Sequence, residues 1–118
     1  MKAILVIDHG SLVEAANHML ETVVMRMQEK RPDLIVEMAH MELAKPSIED
    51  GISACVERGA THIVAHPYML SPGRHATKDI PRMVEAVAQR YPQVSIQTSP
   101  PLGVHDKVIE VALERAGV

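Results

Sequence analysis

Two rhythms of apolar residues alternate along this chain. Short unbroken apolar runs occur at Ala3-Ile4-Leu5-Val6-Ile7 and Ile63-Val64-Ala65, with β-rich stretches at Leu34 to Ala39 and Val94 to Thr98. Between them, apolar residues recur every three or four positions, the spacing of one helix face. The pattern predicts strands over 3–8, 34–39, 61–65 and 94–98. It predicts helices over about 11–30, 46–59, 78–90 and 104–116. Ala16, Leu20, Val23, Val24 and Met27 share one face of the first helix, and Ile48, Ile52, Cys55 and Val56 point inward from the second.

Turn and cap residues punctuate the pattern. Gly10 turns the chain after the first strand, and Ser11-Leu12-Val13-Glu14 matches a capping box, in which Ser and Glu side chains satisfy free N–H groups at a helix start. Pro46 fits the first turn of the second helix, where its missing N–H costs nothing. Gly59 is the expected left-handed cap at its end. Pro81 is tolerated in the first turn of the third helix, and Pro100-Pro101 break the last strand. Strands alternating with helices through short connections imply a parallel sheet covered on both faces, and unbroken apolar strands suit burial on both sides. The reading is one α/β domain over 1–118, a three-layer, four-stranded parallel sheet. Periodicity does not give the strand order.

Composition narrows the picture. Of 118 residues 47% are hydrophobic, but there is no Phe or Trp, and Tyr68 and Tyr91 are the only aromatics. The core must be aliphatic, with eight methionines filling irregular gaps. A net charge of −3 offers no broad basic surface for nucleic acid and no basic block for an anionic membrane. An anionic ligand must therefore be held by local positive groups. The single cysteine, Cys55, excludes an intrachain disulfide and a Cys-based zinc site, and it reads as a small buried hydrophobe. The N-terminal apolar run is too short for a signal peptide or a membrane span, so a cytoplasmic protein is expected.

The candidate chemistry lies where the strands end. In parallel α/β sheets, ligands bind at the carboxyl edge of the strands. His9, His40, His66, His75 and His105 fall in or beside those exits, five of the seven histidines. Imidazole is the commonest metal ligand and titrates near neutral pH, so a histidine-rich edge suits a divalent ion or a proton. His9 and His75 are the leading pair. Glu42 is the natural partner, able to ligate, orient a ring or take a proton. Asp8 either holds the His9 tautomer or caps the turn. Arg74, Lys78 and helix N-termini near Ser11, Ser47 and Thr77 are candidates for meeting carboxylates on a ligand. Gly10-Ser11 matches no nucleotide-binding glycine loop, and Asp8, His9 and Ser11 are sequence neighbours rather than a spatial triad.

Five stretches together carry a resemblance. They are Val6 to Ser11, Ala39 to Ile48, Pro67 to His75, Asp79-Ile80-Pro81 and Pro101 to His105. In these the chain resembles the short sirohydrochlorin chelatases, the CbiX/SirB group of the class II tetrapyrrole chelatases. The resemblance implies a flavodoxin-like chelatase fold with strand order two-one-three-four and a homodimer with sirohydrochlorin between subunits. It implies insertion of a divalent metal, Fe2+ or Co2+, supplied as substrate, with no organic cofactor. His9 and His75 correspond to the metal-handling pair, and Glu42 to a carboxylate near the same cleft. His66 departs from the pattern, standing where such proteins usually carry a small or apolar residue. No cysteine-bearing tail is present to suggest an iron–sulfur cluster.

Overall fold

A computed structural model describes residues 1–118. In chain order the elements are β1 (Lys2–Asp8), α1 (Glu14–Lys30), β2 (Ile35–His40), α2 (Ile48–Glu57), β3 (His62–Pro67), a π-helical turn (His75–Asp79), α3 (Ile80–Ala88), β4 (Ser95–Thr98) and α4 (Asp106–Ala116). The four strands form one sheet, ordered β2-β1-β3-β4. All pairings are parallel: Ala3 faces Ile35 on one side and Ile63 on the other, and Ile63 faces Ile96. This is the α/β architecture and the strand order that the resemblance implies.

Side chains alternate across a strand, which assigns each face its helices. Leu5, Ile7, Ala39, Ile63 and Ala65 pack with Ile52 and Cys55 of α2 and with Ile80 and Val84 of α3. Val6 and Val36, on the opposite face, meet Leu20 of α1, with Val23, Val24 and Met27 partly buried beside them. Leu5, Ile7, Ile52, Ile63 and Ile80 are fully buried, and each such side chain stabilises the fold by about 1.5–3 kcal/mol. Helix α2 lies close on the sheet because residue 51 is glycine. A Cβ there would sit 2.5 Å from Leu5 Cδ1 and 3.1 Å from the Met38 carbonyl oxygen. Helix α4 buries no residue, and Ile109, Val111 and Leu113 remain exposed along it.

Several local expectations are corrected. Ser11 is not the cap of α1: that helix begins at Glu14, with Val13 as N-cap and no side-chain cap bond. The Ser11 hydroxyl instead accepts from Val13 N–H, and the Asn17 amide holds the Ser11 backbone at both its N–H and its C=O. The capping box occurs at α2, where Ser47 and Asp50 exchange side-chain and backbone bonds. Ala16 is exposed. Strand β3 runs on through His66 and Pro67, and the third helix is divided into the π turn and α3. Gly59 adopts the expected left-handed conformation, with φ 96°.

Candidate functional site

The loops leaving β1 and β2 are joined through their backbones. Met41 N–H donates to the Asp8 carbonyl (2.9 Å) and Glu42 N–H to the His9 carbonyl (3.1 Å). Gly10 makes this approach possible. It sits at φ 86°, and a Cβ on it would lie 1.8 Å from the Glu42 carbonyl oxygen. His9 and Glu42, 33 positions apart in sequence, are thereby neighbours.

The third contributor arrives from β3. Tyr68 N–H donates to the Ile7 carbonyl (2.7 Å), and the chain then passes through Ser71-Pro72-Gly73 into the π turn. There Ile80 N–H reaches back five residues to the His75 carbonyl, and Ala76 is buried beneath. Such i→i+5 turns are rare and concentrate at functional sites. Within the turn His75 Nδ1 lies 2.8 Å from Asp79 Oδ2. A carboxylate only accepts, so Nδ1 carries a proton, and in the neutral ring Nε2 then holds the lone pair, the arrangement usual for a metal-binding imidazole.

His75 and His9 meet edge to face, with ring centroids 4.9 Å apart and planes at 84°. His9, Tyr68, Arg74 and His75 line a cleft of about 430 Å³ together with Met69, Leu70, Ser71, Gly73 and Ala76. A second cleft of about 240 Å³ is lined by Met41, Glu42, His75, Asp79, Arg82 and Met83. His75 is the wall common to both. Neither Arg74 nor Arg82 is ion-paired within the chain, so both guanidiniums are free for an anion. No three His, Cys, Asp or Glu side chains converge into a metal cage. Two imidazoles leave most coordination positions of a metal to other ligands.

Of the residues expected from sequence, His9, His75, Glu42 and Arg74 gather here. Ser11 does not: it lines a separate cleft with Asn17, His18, His40 and Lys45. Lys78 is exposed on the π turn and lines neither histidine cleft. Thr77 lies inside that turn, donating its hydroxyl to the Gly73 carbonyl (3.0 Å), rather than at a helix start. The remaining edge histidines are occupied elsewhere. His40 is buried against Asp8, which therefore serves neither the His9 tautomer nor a turn cap. His105 Nδ1 accepts from Lys107 N–H at the start of α4. His66 Nδ1 donates to Ser99 Oγ (2.8 Å), whose own hydroxyl donates to the Pro100 carbonyl, and burial pushes the His66 pKa below the ordinary value. Arg82 was not singled out from sequence, and Asp79 stood in a resembling stretch with no role assigned. Their signal is helical spacing: four and seven residues beyond His75 share its face.

An open parallel α/β sheet whose carboxyl edge carries paired imidazoles, nearby carboxylates and free guanidiniums defines a domain equipped for a metal, protons and an anionic ligand. Residues 3–117 match the CbiX family profile, and the chain belongs to that family. It is 43% identical over 112 residues to the chloroplastic sirohydrochlorin ferrochelatase of Arabidopsis thaliana, an alignment covering 95% of this chain and 50% of that protein. A solved structure of SirB from Bacillus subtilis with Fe3+ superposes with a TM-score of 0.89 at 36% identity, covering 97% of this chain and 45% of that one. A SirB structure from Bacillus subtilis subspecies spizizenii in complex with cobalt gives 0.85 at 34% identity, covering 98% and 50%. The chain thus spans about half the length of these relatives.

Proposed function

We propose that this protein inserts a divalent metal, ferrous iron foremost, into sirohydrochlorin. The observation that carries the reading is the His9–His75 contact, with ring centroids 4.9 Å apart and Glu42 on the far side of His75. Chelation exchanges two pyrrole N–H protons for one M2+ ion. It needs ligands that hold the metal loosely and bases that accept the released protons. His75 Nε2 and the His9 ring present the metal, then take protons as the metal passes to the macrocycle nitrogens, with Glu42 relaying them away. Neutral imidazole is suited to both tasks. Asp79 fixes the His75 ring for this exchange. Arg74 and Arg82 pair with substrate carboxylates, each well-formed charge-assisted contact contributing about 1.5–3 kcal/mol. Nothing beyond metal and macrocycle is consumed, so no organic cofactor is called for.

The chain spans about half the length of these relatives. We infer a homodimer in which two copies face each other across the macrocycle. Cobalt is the second reading for the metal, favoured by the likeness to SirB in complex with cobalt.

Anaerobic absorbance spectroscopy with sirohydrochlorin tests the proposal, with Fe2+ and Co2+ in separate runs. Wild-type protein is expected to accelerate spectral conversion over a protein-free control. His75→Ala is expected to lose about 10²-fold of that rate, as for removal of a general base, with its fold intact. Spectral shifts without acceleration would identify a carrier instead. Turnover by a monomer at assay concentration would remove the shared cleft.

A further inference from the structure

One buried pair takes no part in that chemistry. Asp8 and His40 are register partners at the ends of β1 and β2, on the sheet face of Val6 and Val36. The His40 side chain is completely buried, and its Nδ1 lies 2.6 Å from Asp8 Oδ1. The carboxylate can only accept, so Nδ1 carries the proton. Nε2 is buried with no hydrogen-bond partner. Buried polar atoms are ordinarily paired, and an unpaired one costs stability. An apolar side chain would fill the same space without that cost, so stability alone does not explain the pair.

His40 also anchors the segment that carries Glu42. Its N–H donates to the Pro46 carbonyl (2.8 Å), closing the excursion 41–46, which turns through Leu43 at φ 68°. Asp8 precedes His9 directly, and its carbonyl accepts from Met41. The Asp8–His40 hydrogen bond therefore fastens the residue before His9 to the residue that opens and closes the Glu42 loop. Neither side chain lines the His9 or His75 clefts.

We propose that Asp8 and His40 are a positioning pair whose hydrogen bond sets the placement of His9 relative to Glu42. The kinetic part rests on the chelatase reading; the metal-binding part does not. The test uses the full chain with His40→Phe, Asp8→Ala and Asp8→Asn. For each, thermal unfolding, Co2+ affinity with its visible d–d spectrum, and kcat and KM for chelation are measured. His40→Phe is expected to fold with a midpoint at or above wild type. Its Co2+ affinity should fall about 10-fold or more, as when partners of metal ligands are removed, with shifted d–d bands. Its kcat should fall by a similar factor while KM for the tetrapyrrole holds. Asp8→Asn keeps an acceptor for Nδ1–H and should recover most of what Asp8→Ala loses. Unchanged Co2+ binding and kcat in a folded His40→Phe overturn the proposal. If His40→Phe does not fold, equal behaviour of Asp8→Asn and Asp8→Ala overturns it, and rescue by Asn supports it. Wild-type protein that binds Co2+ without chelating sinks the chelatase reading alone, and the cobalt spectra still decide the pair.

Discussion

Gly10→Ala is the smallest change that tests how the site is assembled. The new methyl group would stand 1.8 Å from the Glu42 carbonyl oxygen, 3.0 Å from its carbon and 3.1 Å from His40 Cβ. Two of these three atoms are backbone, so no side-chain rotation relieves the contact. The β1 and β2 exit loops must part by roughly 1 Å, a displacement of the kind that costs about 10²-fold in rate when reacting groups lose alignment. The left-handed backbone at residue 10 adds a penalty of about 1–2 kcal/mol for a residue with a Cβ, and the strained Glu42 N–H to His9 carbonyl bond adds about 1 kcal/mol. A loss of about 2–3 kcal/mol lowers Tm by roughly 10 °C in a domain of this size. The assay pairs calorimetry with anaerobic chelation kinetics well below the new Tm. An alanine variant with wild-type Tm and rate would show that the two loops are not locked at Gly10, and the geometry argued for His9 and Glu42 would fall with it.

Other perturbations separate binding from chemistry. Asp79→Ala should lower the chelation rate by about 10-fold through loss of His75 ring orientation, with Asp79→Asn retaining more of it; equal rates for both would discount the hydrogen bond. Arg74→Ala and Arg82→Ala should each raise KM for sirohydrochlorin by roughly 10-fold with little change in kcat, as expected for lost charge-assisted contacts, whereas Lys78→Ala should leave KM unaltered. Cys55, whose thiol is pushed up to about 12 by burial, should resist thiol reagents in the native protein and label only on unfolding. The same shift fixes a pH dependence. Between about 9 and 12 the unfolded thiol ionises while the folded one stays protonated, so stability should decline as pH rises through that window, and Cys55→Ala should flatten the decline in a pH series of unfolding curves.

Elements built from local rhythm were legible in the chain. Ala3 to Ile7 is apolar without interruption because it is covered on both faces, and Ile48, Ile52 and Cys55 share one helix face because α2 presses that face to the sheet. Caps were less legible. Ser11-x-x-Glu14 and Ser47-x-x-Asp50 carry the same pattern, yet only the second forms a box, because Asn17 claims the Ser11 backbone first. His9, His75 and Glu42 stood out by residue type at strand exits. The backbone approach of Glu42 to His9 depends on a glycine packed beneath a carbonyl, which no periodicity reveals. The Asp8–His40 bond depends on strand register across 32 positions, and the order β2-β1-β3-β4 came from resemblance rather than from hydrophobic pattern.

The π turn gives this edge of the sheet a tolerance in length. With Ile80 N–H reaching back to the His75 carbonyl, the turn accommodates more chain than an α-helical turn would. Deleting one residue between His75 and Asp79 would let α3 continue backwards as an ordinary helix, its buried Ile80, Val84 and Val87 undisturbed. Ile80 N–H would still bond the His75 carbonyl, now four residues back as in an ordinary α-helix, so the deletion is absorbed inside the turn, the helix keeps its phase, and His75 keeps its place beside His9. Point substitutions at the exposed positions Thr77 and Lys78 leave that phase unchanged. Among naturally varying sequences of this segment, a histidine-to-aspartate spacing of three or of four residues is therefore expected to place both side chains alike.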